Sequence, residues 1–271
     1  MKSLLVAILL SAIAFGQTNP SEPTAASQTI PADQENARKA KALLDQMLDA
    51  LGGNAYLNIE DISQEGRSYA FHLGESEGAG VVFWRFYKYP DKDRIELTKK
   101  RDVVEVYRGD EGFEITYKGT RADDPKALAD YLRRRHYALD WVIRHWLSEP
   151  GIALFYEGAT VAAEKDAQQV TIMNAQNQAV TLYIDSRTHL PVKKSFSWRD
   201  PVDKQRNVED EVYDNYRPVE GVMTPFSVTR FYNGDMSNQR FLNSVTYNKS
   251  LSDSLFNAQV TYDPNKSLPK R

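Results

Sequence analysis

The sequence predicts a mainly β chain: a strongly curved antiparallel sheet with one apolar side, plugged by two helical pieces. Three observations carry this. About twelve segments after residue 59 have strand character and are separated by short turn signals. One amphipathic helix precedes all of them, and one long helical segment interrupts them. Short links join antiparallel neighbours, because parallel strands need long crossovers. A βαβ arrangement is excluded on the same ground.

The chain opens MKSLLVAILLSAIAFG, with one Lys, an apolar run from Leu4 to Ile13, and small residues at Ala14 and Gly16. That layout predicts a cleavable secretory signal peptide over 1–16. The run is too short to span a bilayer, which takes roughly 20 residues. Residues 17–32 are rich in Pro, Ser, Thr and Gln and read as a flexible leader. A single domain is expected over 33–263, followed by a flexible tail, 264–271.

Ala37, Ala40, Leu43, Leu44, Met47, Leu48 and Leu51 recur at three- and four-residue spacing. They form one stripe of a helix. Asp33 is its expected N-cap and Gly52–Gly53 its stop. The period then changes. Strands are expected at 59–72, 78–89, 92–98, 103–108, 112–118, 152–163, 167–174, 178–185, 190–198, 207–216, 224–233 and 238–248, with GES, YPDK, RGDEG, NAQNQ and NGDM among the turns. Alternation groups Phe113, Ile115 and Tyr117; Val180, Leu182 and Ile184; and Leu190, Val192, Phe196 and Trp198, each on one face. Between the two halves, DDPKALADYLRRRHYALDWVIRHWLSEPG reads as one long helix, or two with a break near His136. Asp124 caps it with Pro125 at the first helical position.

The 271 residues are 41% hydrophobic, enough for one sizeable core. A formal net charge of −3 argues against binding driven by phosphate attraction, so no nucleic-acid partner is expected. The chain has no Cys, which rules out disulfides, thiol chemistry and the lipidated cysteine of a bacterial lipoprotein. It carries no H-E-x-x-H, G-x-S-x-G or P-loop. His136 and His145 would face opposite sides of one helix, and the acids Glu209, Asp210 and Glu211 alternate across a strand. No enzyme, metal or cofactor is expected.

In order along the chain, LLDQMLDALGGNAYLNIEDISQEG, FYKYPDKDRIEL, YRGDEGFEITYKG, LYIDSRTHLPVKKSF, DNYRPVEGVMTPFSVTRFYNG and DSLFNAQ resemble segments of the LolA-like superfamily. These are the bacterial outer-membrane lipoprotein carriers and the proteins named outer membrane lipoprotein-sorting protein. The resemblance covers about residues 36–260. It implies an unclosed barrel with a helical lid over a hydrophobic cavity that takes acyl chains in the periplasm. The carriers have an Arg before the Pro of the second hairpin that helps latch the lid; here Tyr89 precedes Pro90, with Arg94 shortly after.

A cavity of that kind is lined by apolar side chains. The candidates are Trp84, Phe86, Phe113, Ile115, Trp141, Trp146, Phe155, Leu182, Ile184, Phe196 and Phe226. Arg94, Arg133, Arg134 and Arg144 are candidate contacts for a phosphate or carboxylate head group. The function expected is that of a monomeric periplasmic carrier of lipid or an acylated lipoprotein, exchanging with an inner- or outer-membrane protein. The alternative is an envelope sensor that binds mislocalised lipoproteins or a membrane partner.

Overall fold

The computed structural model describes residues 32–264. The expected signal peptide, the leader up to residue 31 and the tail from 265 lie outside them. Helix α1 spans Ala32–Leu51, so Asp33 stands in its first turn rather than capping it. The double glycine ends it: Gly53 N–H donates to Leu48 O at 2.9 Å. Gly52 has φ of +126°, and a Cβ there would meet the Gly221 carbonyl at 2.4 Å. Only glycine satisfies both the backbone conformation and the close approach. A single turn, α2, follows at Asn54–Leu57.

Every expected strand is present. They are β1 (Asp61–His72), β3 (Val81–Lys88), β4 (Lys92–Leu97), β5 (Val103–Arg108), β6 (Glu111–Thr116), β8 (Ala153–Ala162), β9 (Lys165–Met173), β10 (Ala179–Asp185), β11 (Pro191–Arg199), β12 (Arg206–Val219), β13 (Val222–Tyr232) and β14 (Asp235–Tyr247). Two short ones, β2 (Glu75–Ser76) and β7 (Gly119–Ala122), were too brief to carry a periodic signal. All belong to one antiparallel sheet ordered β7-β6-β5-β4-β3-β1-β14-β13-β12-β11-β10-β9-β8, with β2 beside β1. The sheet does not close. Its first and last long strands pair in the middle, and β7 and β8 are left as its two edges.

The helical segment is the connection between those two edges. It consists of α3 (Pro125–His136), α4 (Leu139–Arg144) and a 3₁₀ turn at Trp146–Ser148, so the break falls at Tyr137–Ala138. Asp124 caps α3 through the amides of Lys126 and Ala127. Both edges are covered. Thr120 N–H of β7 donates to the Thr261 hydroxyl oxygen while Thr120 O accepts from Thr261 N–H, and the Asn36 amide of α1 both accepts from Tyr156 N–H and donates to Tyr156 O on β8, each at 2.8 Å. An edge strand left bare is a template for association.

The two arms of the sheet are filled differently. Val170, Ile172, Val180, Leu182, Ile184 and Phe196 on β9–β11 pack against Ala40, Leu44, Met47 and Leu51 of α1 and Val142, Ile143 and Trp146 of the lid. This arm is solid core. A register shift between Tyr183 and Ile184 moves Val192 off that face, and it packs instead with Ala162 and Ala167. Tyr117 lies in the turn after β6 and is exposed. In the opposite arm, among the described residues, no element inserts between sheet and lid.

Candidate functional site

A cavity of about 570 Å³ occupies that second arm, between β1, β3–β5 and β12–β14 below and α3 and the start of α4 above. Its size lies within the ~300–1,000 Å³ range of ligand sites. The pairing register lays its floor out in rows. Tyr107, Asp93, Tyr87 and Ile62 stand opposite one another, then Glu105, Ile95, Arg85 and Gln64, then Leu97, Phe83, Gly66 and Leu242. A Cβ on Gly66 would meet the Phe241 carbonyl at 2.2 Å and the Phe83 ring at 3.0 Å, so glycine lets β1 bend here. The register shift beside it is a bulge of the kind that curves a sheet.

The lining is amphipathic. Ile59, Ile62, Phe83, Ile95, Leu97, Val228 and Leu242 supply an apolar part, with tyrosines and charged groups around it. Asp93 is fully buried and held by Arg85 through two bonds of 2.8 and 2.9 Å, while Tyr131 from the lid donates to it at 3.1 Å. Tyr131 also stacks on Tyr107, with centroids 3.6 Å apart. Burial, then Asp93, pushes the Tyr131 phenol well above its usual value. Glu105 has no cation beside it among the described residues, and burial followed by Asp123 raises its carboxyl. On the far wall, burial opposes ionisation of Glu211, but Lys194 at 2.8 Å and Arg230 at 3.2 Å outweigh it and hold the carboxyl far below the usual range.

The lid is fastened on several sides. Arg133 lies over Trp198 at 3.8 Å and pairs with Glu209, while Arg135 donates to Gly109 O at 2.7 Å. Tyr89 donates to Asp140 at 2.7 Å, and Arg144 covers the Tyr89 ring and donates to Leu57 O and Ile59 O.

No family model matches the chain, and no curated protein matches it. Solved structures do. A DUF1329 family protein from Desulfovibrio piger matches with a TM-score of 0.57 at 12% identity, over 80% of this chain and 97% of that one. A putative outer membrane lipoprotein-sorting protein domain from Vibrio parahaemolyticus matches at 0.52 and 10% identity, over 82% and 97%. A LolA superfamily protein from Nitrosomonas europaea matches at 0.50 and 12% identity, over 80% and 97%. The fold is LolA-like.

This LolA-like chain has Tyr89 where the resemblance places an arginine, and the arginine it contacts, Arg144, comes from the lid instead. Arg94 does not stand in for it. It pairs with Glu96 at 2.7 Å and donates to Leu255 O on the other face of the sheet.

None of the eleven apolar candidates lines the cavity. Trp84 and Phe86 have the opposite parity to Phe83, Arg85 and Tyr87 and so point to the outer face, Trp84 under Arg101 and Phe86 beside Val106. Phe113 and Ile115 join the same outer cluster, covered by Phe256. Trp146, Leu182, Ile184 and Phe196 belong to the solid arm, with Trp141 packed against it. Phe155 is exposed, and Phe226 is buried beside Val222 under Arg217. Of the four arginines, Arg134 alone lines this cavity. Arg144 borders a smaller hollow of about 330 Å³ between α1 and the lid.

Arg85, Asp93, Tyr87, Tyr131, Glu211, Arg230 and Arg240 were missed. The available signal was their parity: the charged strand residues share a face with apolar residues two positions away that point inward, as Asp93 with Ile95 and Arg230 with Val228.

Proposed function

We propose that this protein is a periplasmic carrier that holds a lipid, the acyl chains of a lipoprotein or another hydrophobic molecule beneath its helical lid. It works as a monomer and exchanges its cargo with a membrane protein. The observation that carries this reading is the cavity of about 570 Å³ in an arm of the half-barrel that no helix of the described residues fills. Burial of each methylene of a chain there contributes about 0.8 kcal/mol. The lid joins the two sheet edges, so it can swing without parting any strand pair. The likeness to a structure described as a putative outer membrane lipoprotein-sorting domain agrees with it. Among the described residues no helix is long and apolar enough to cross a membrane.

The test is native mass spectrometry of the protein expressed from its full sequence and purified from the periplasm without detergent. Organic extraction of the same sample follows. A stoichiometric adduct that extracts as a lipid or acylated peptide is the expected result. A clean protein mass, together with failure to take up a fluorescent fatty-acid probe, would overturn the reading.

A further inference from the structure

Four strands carry a polar row that runs from the edge of the solid arm into the floor of the cavity. Lys194 of β11 stands opposite Glu211 of β12, Glu211 opposite Arg230 of β13, and Arg230 opposite Asn238 of β14. Two residues along β14 from Asn238, Arg240 stands opposite Val228 on one side and Ser68 on the other. Arg134 lines the same cavity from the lid.

The charges in this corner do not balance. Glu211 is the carboxylate that Lys194 and Arg230 share, and Glu209 and Asp130, the acids that act on Arg134, are both paired with Arg133. Lys194 is only 2% exposed, so the Glu211 carboxylate is fully committed. The guanidinium groups of Arg134 and Arg240 make no hydrogen bond or ion pair among the described residues. The Nε atoms of Arg230 and Arg240 are buried without a partner. The other acids of the cavity are engaged elsewhere or distant in the sheet. Asp93 is taken by Arg85 and Asp140 by Tyr89, and Glu105 stands on β5, separated from β14 in the sheet by β4, β3 and β1. Burial, then the neighbouring Arg85 and Arg230, pulls Arg240 down to about 10.

A guanidinium without a counter-ion in a roofed cavity is costly, and its planar fork fits a carboxylate or phosphate. Next along β14, Leu242 meets Phe83 and Val222, where the apolar part of the lining begins. An acidic group and an apolar chain would therefore find their surroundings side by side.

The geometry points to an anion-receiving subsite formed by Arg134, Arg230 and Arg240, which makes the cargo an amphipathic anion: an apolar chain ending in a carboxylate or phosphate. This rests on the carrier reading and narrows it to acidic cargo.

The test is a titration of the purified full chain with hexadecanoate, hexadecyl phosphate, hexadecanol and inorganic phosphate, repeated on Arg240→Gln, Arg134→Gln and Arg240→Lys. Both acids are expected to bind, with the alcohol about tenfold or more weaker. Each Gln variant should lose about tenfold in affinity for the acids and little for the alcohol, and Arg240→Lys should recover part of the loss. Arg240→Gln should not lower the melting temperature, whereas a purely structural arginine would. Equal binding of acid and alcohol, unchanged in the Gln variants, would overturn the subsite and leave the carrier reading standing. Failure of every chain-bearing ligand would remove both. Tight binding of inorganic phosphate alone would replace the amphipathic class with a small anion.

Discussion

Tyr89, at the turn between β3 and β4, donates its hydroxyl to the Asp140 carboxylate of the lid at 2.7 Å. The contact ties the second hairpin of the sheet to the segment that roofs the cavity, at the sequence position where the lipoprotein carriers are expected to place a latching arginine. Arg144 completes the fastening from the lid side, with its guanidinium 3.9 Å from the centre of the Tyr89 ring. Hydrogen bonds to a charged group contribute about 1.5–3 kcal/mol. Tyr89→Phe should therefore destabilise the protein by about 1–3 kcal/mol in urea denaturation, and Asp140→Asn by a similar amount. The double variant should cost less than the sum of the two. Hydrogen exchange should rise first across residues 137–148. Additive losses, with lid exchange unchanged, would show that this bond does not hold the lid.

Asn36 stands in for a missing neighbour strand, accepting from and donating to the backbone of Tyr156. Asn36→Ala leaves both backbone groups without that partner. A loss of about 1–3 kcal/mol is expected. Because β8 is an edge, light scattering of the variant should also show concentration-dependent association. A variant as stable and as monodisperse as the parent would contradict this role.

Glu211 links acid stability to the polar row. Its folded-state value lies below the ordinary 4.5, since Lys194 and Arg230 overcome the effect of burial. The sign follows: its contribution is fully present above about 4.5 and is lost as pH falls toward the folded value. Glu211→Gln leaves the buried Lys194 without its carboxylate and should cost about 3 kcal/mol at pH 7. The difference from the parent should shrink as the pH is lowered below about 4. Urea midpoints measured across that range decide the matter.

Glu105 has the opposite sign. Burial and Asp123 raise its carboxyl above the ordinary 4.5. Its ionisation therefore opposes folding, starting as pH rises through 4.5 and fully once the folded value is passed. Glu105→Gln should raise the melting temperature at pH 7 and leave it unchanged in acid, where both side chains are neutral. A lower melting temperature at pH 7 would mean that the carboxylate is used structurally.

Much of the fold was legible because its signals are local. The stripe from Ala37 to Leu51, the double glycine, the capping Asp124–Pro125 pair and the turn-separated strands each act over a few residues, and each appears as expected. The site was far less legible. Strand β3 carries aromatics on both faces, Trp84 and Phe86 on one and Phe83 and Tyr87 on the other, so alternation identifies two faces without saying which turns inward. Bulges then shift that parity, as at Val192.

The sequence by itself determined a meander of antiparallel strands, one helix ahead of it and one helical segment within it, because turns and periodicity are properties of neighbouring residues. Only the tertiary structure decided which arm of the sheet α1 fills and which remains hollow. It also turned charged residues into cavity walls. Arg85, Asp93, Glu211, Arg230 and Arg240 are residues whose charge favours water, and they become interior only when β1 pairs with β14 and the lid crosses between the two edges. Burial of that kind depends on contacts between segments more than a hundred residues apart, which no local pattern encodes.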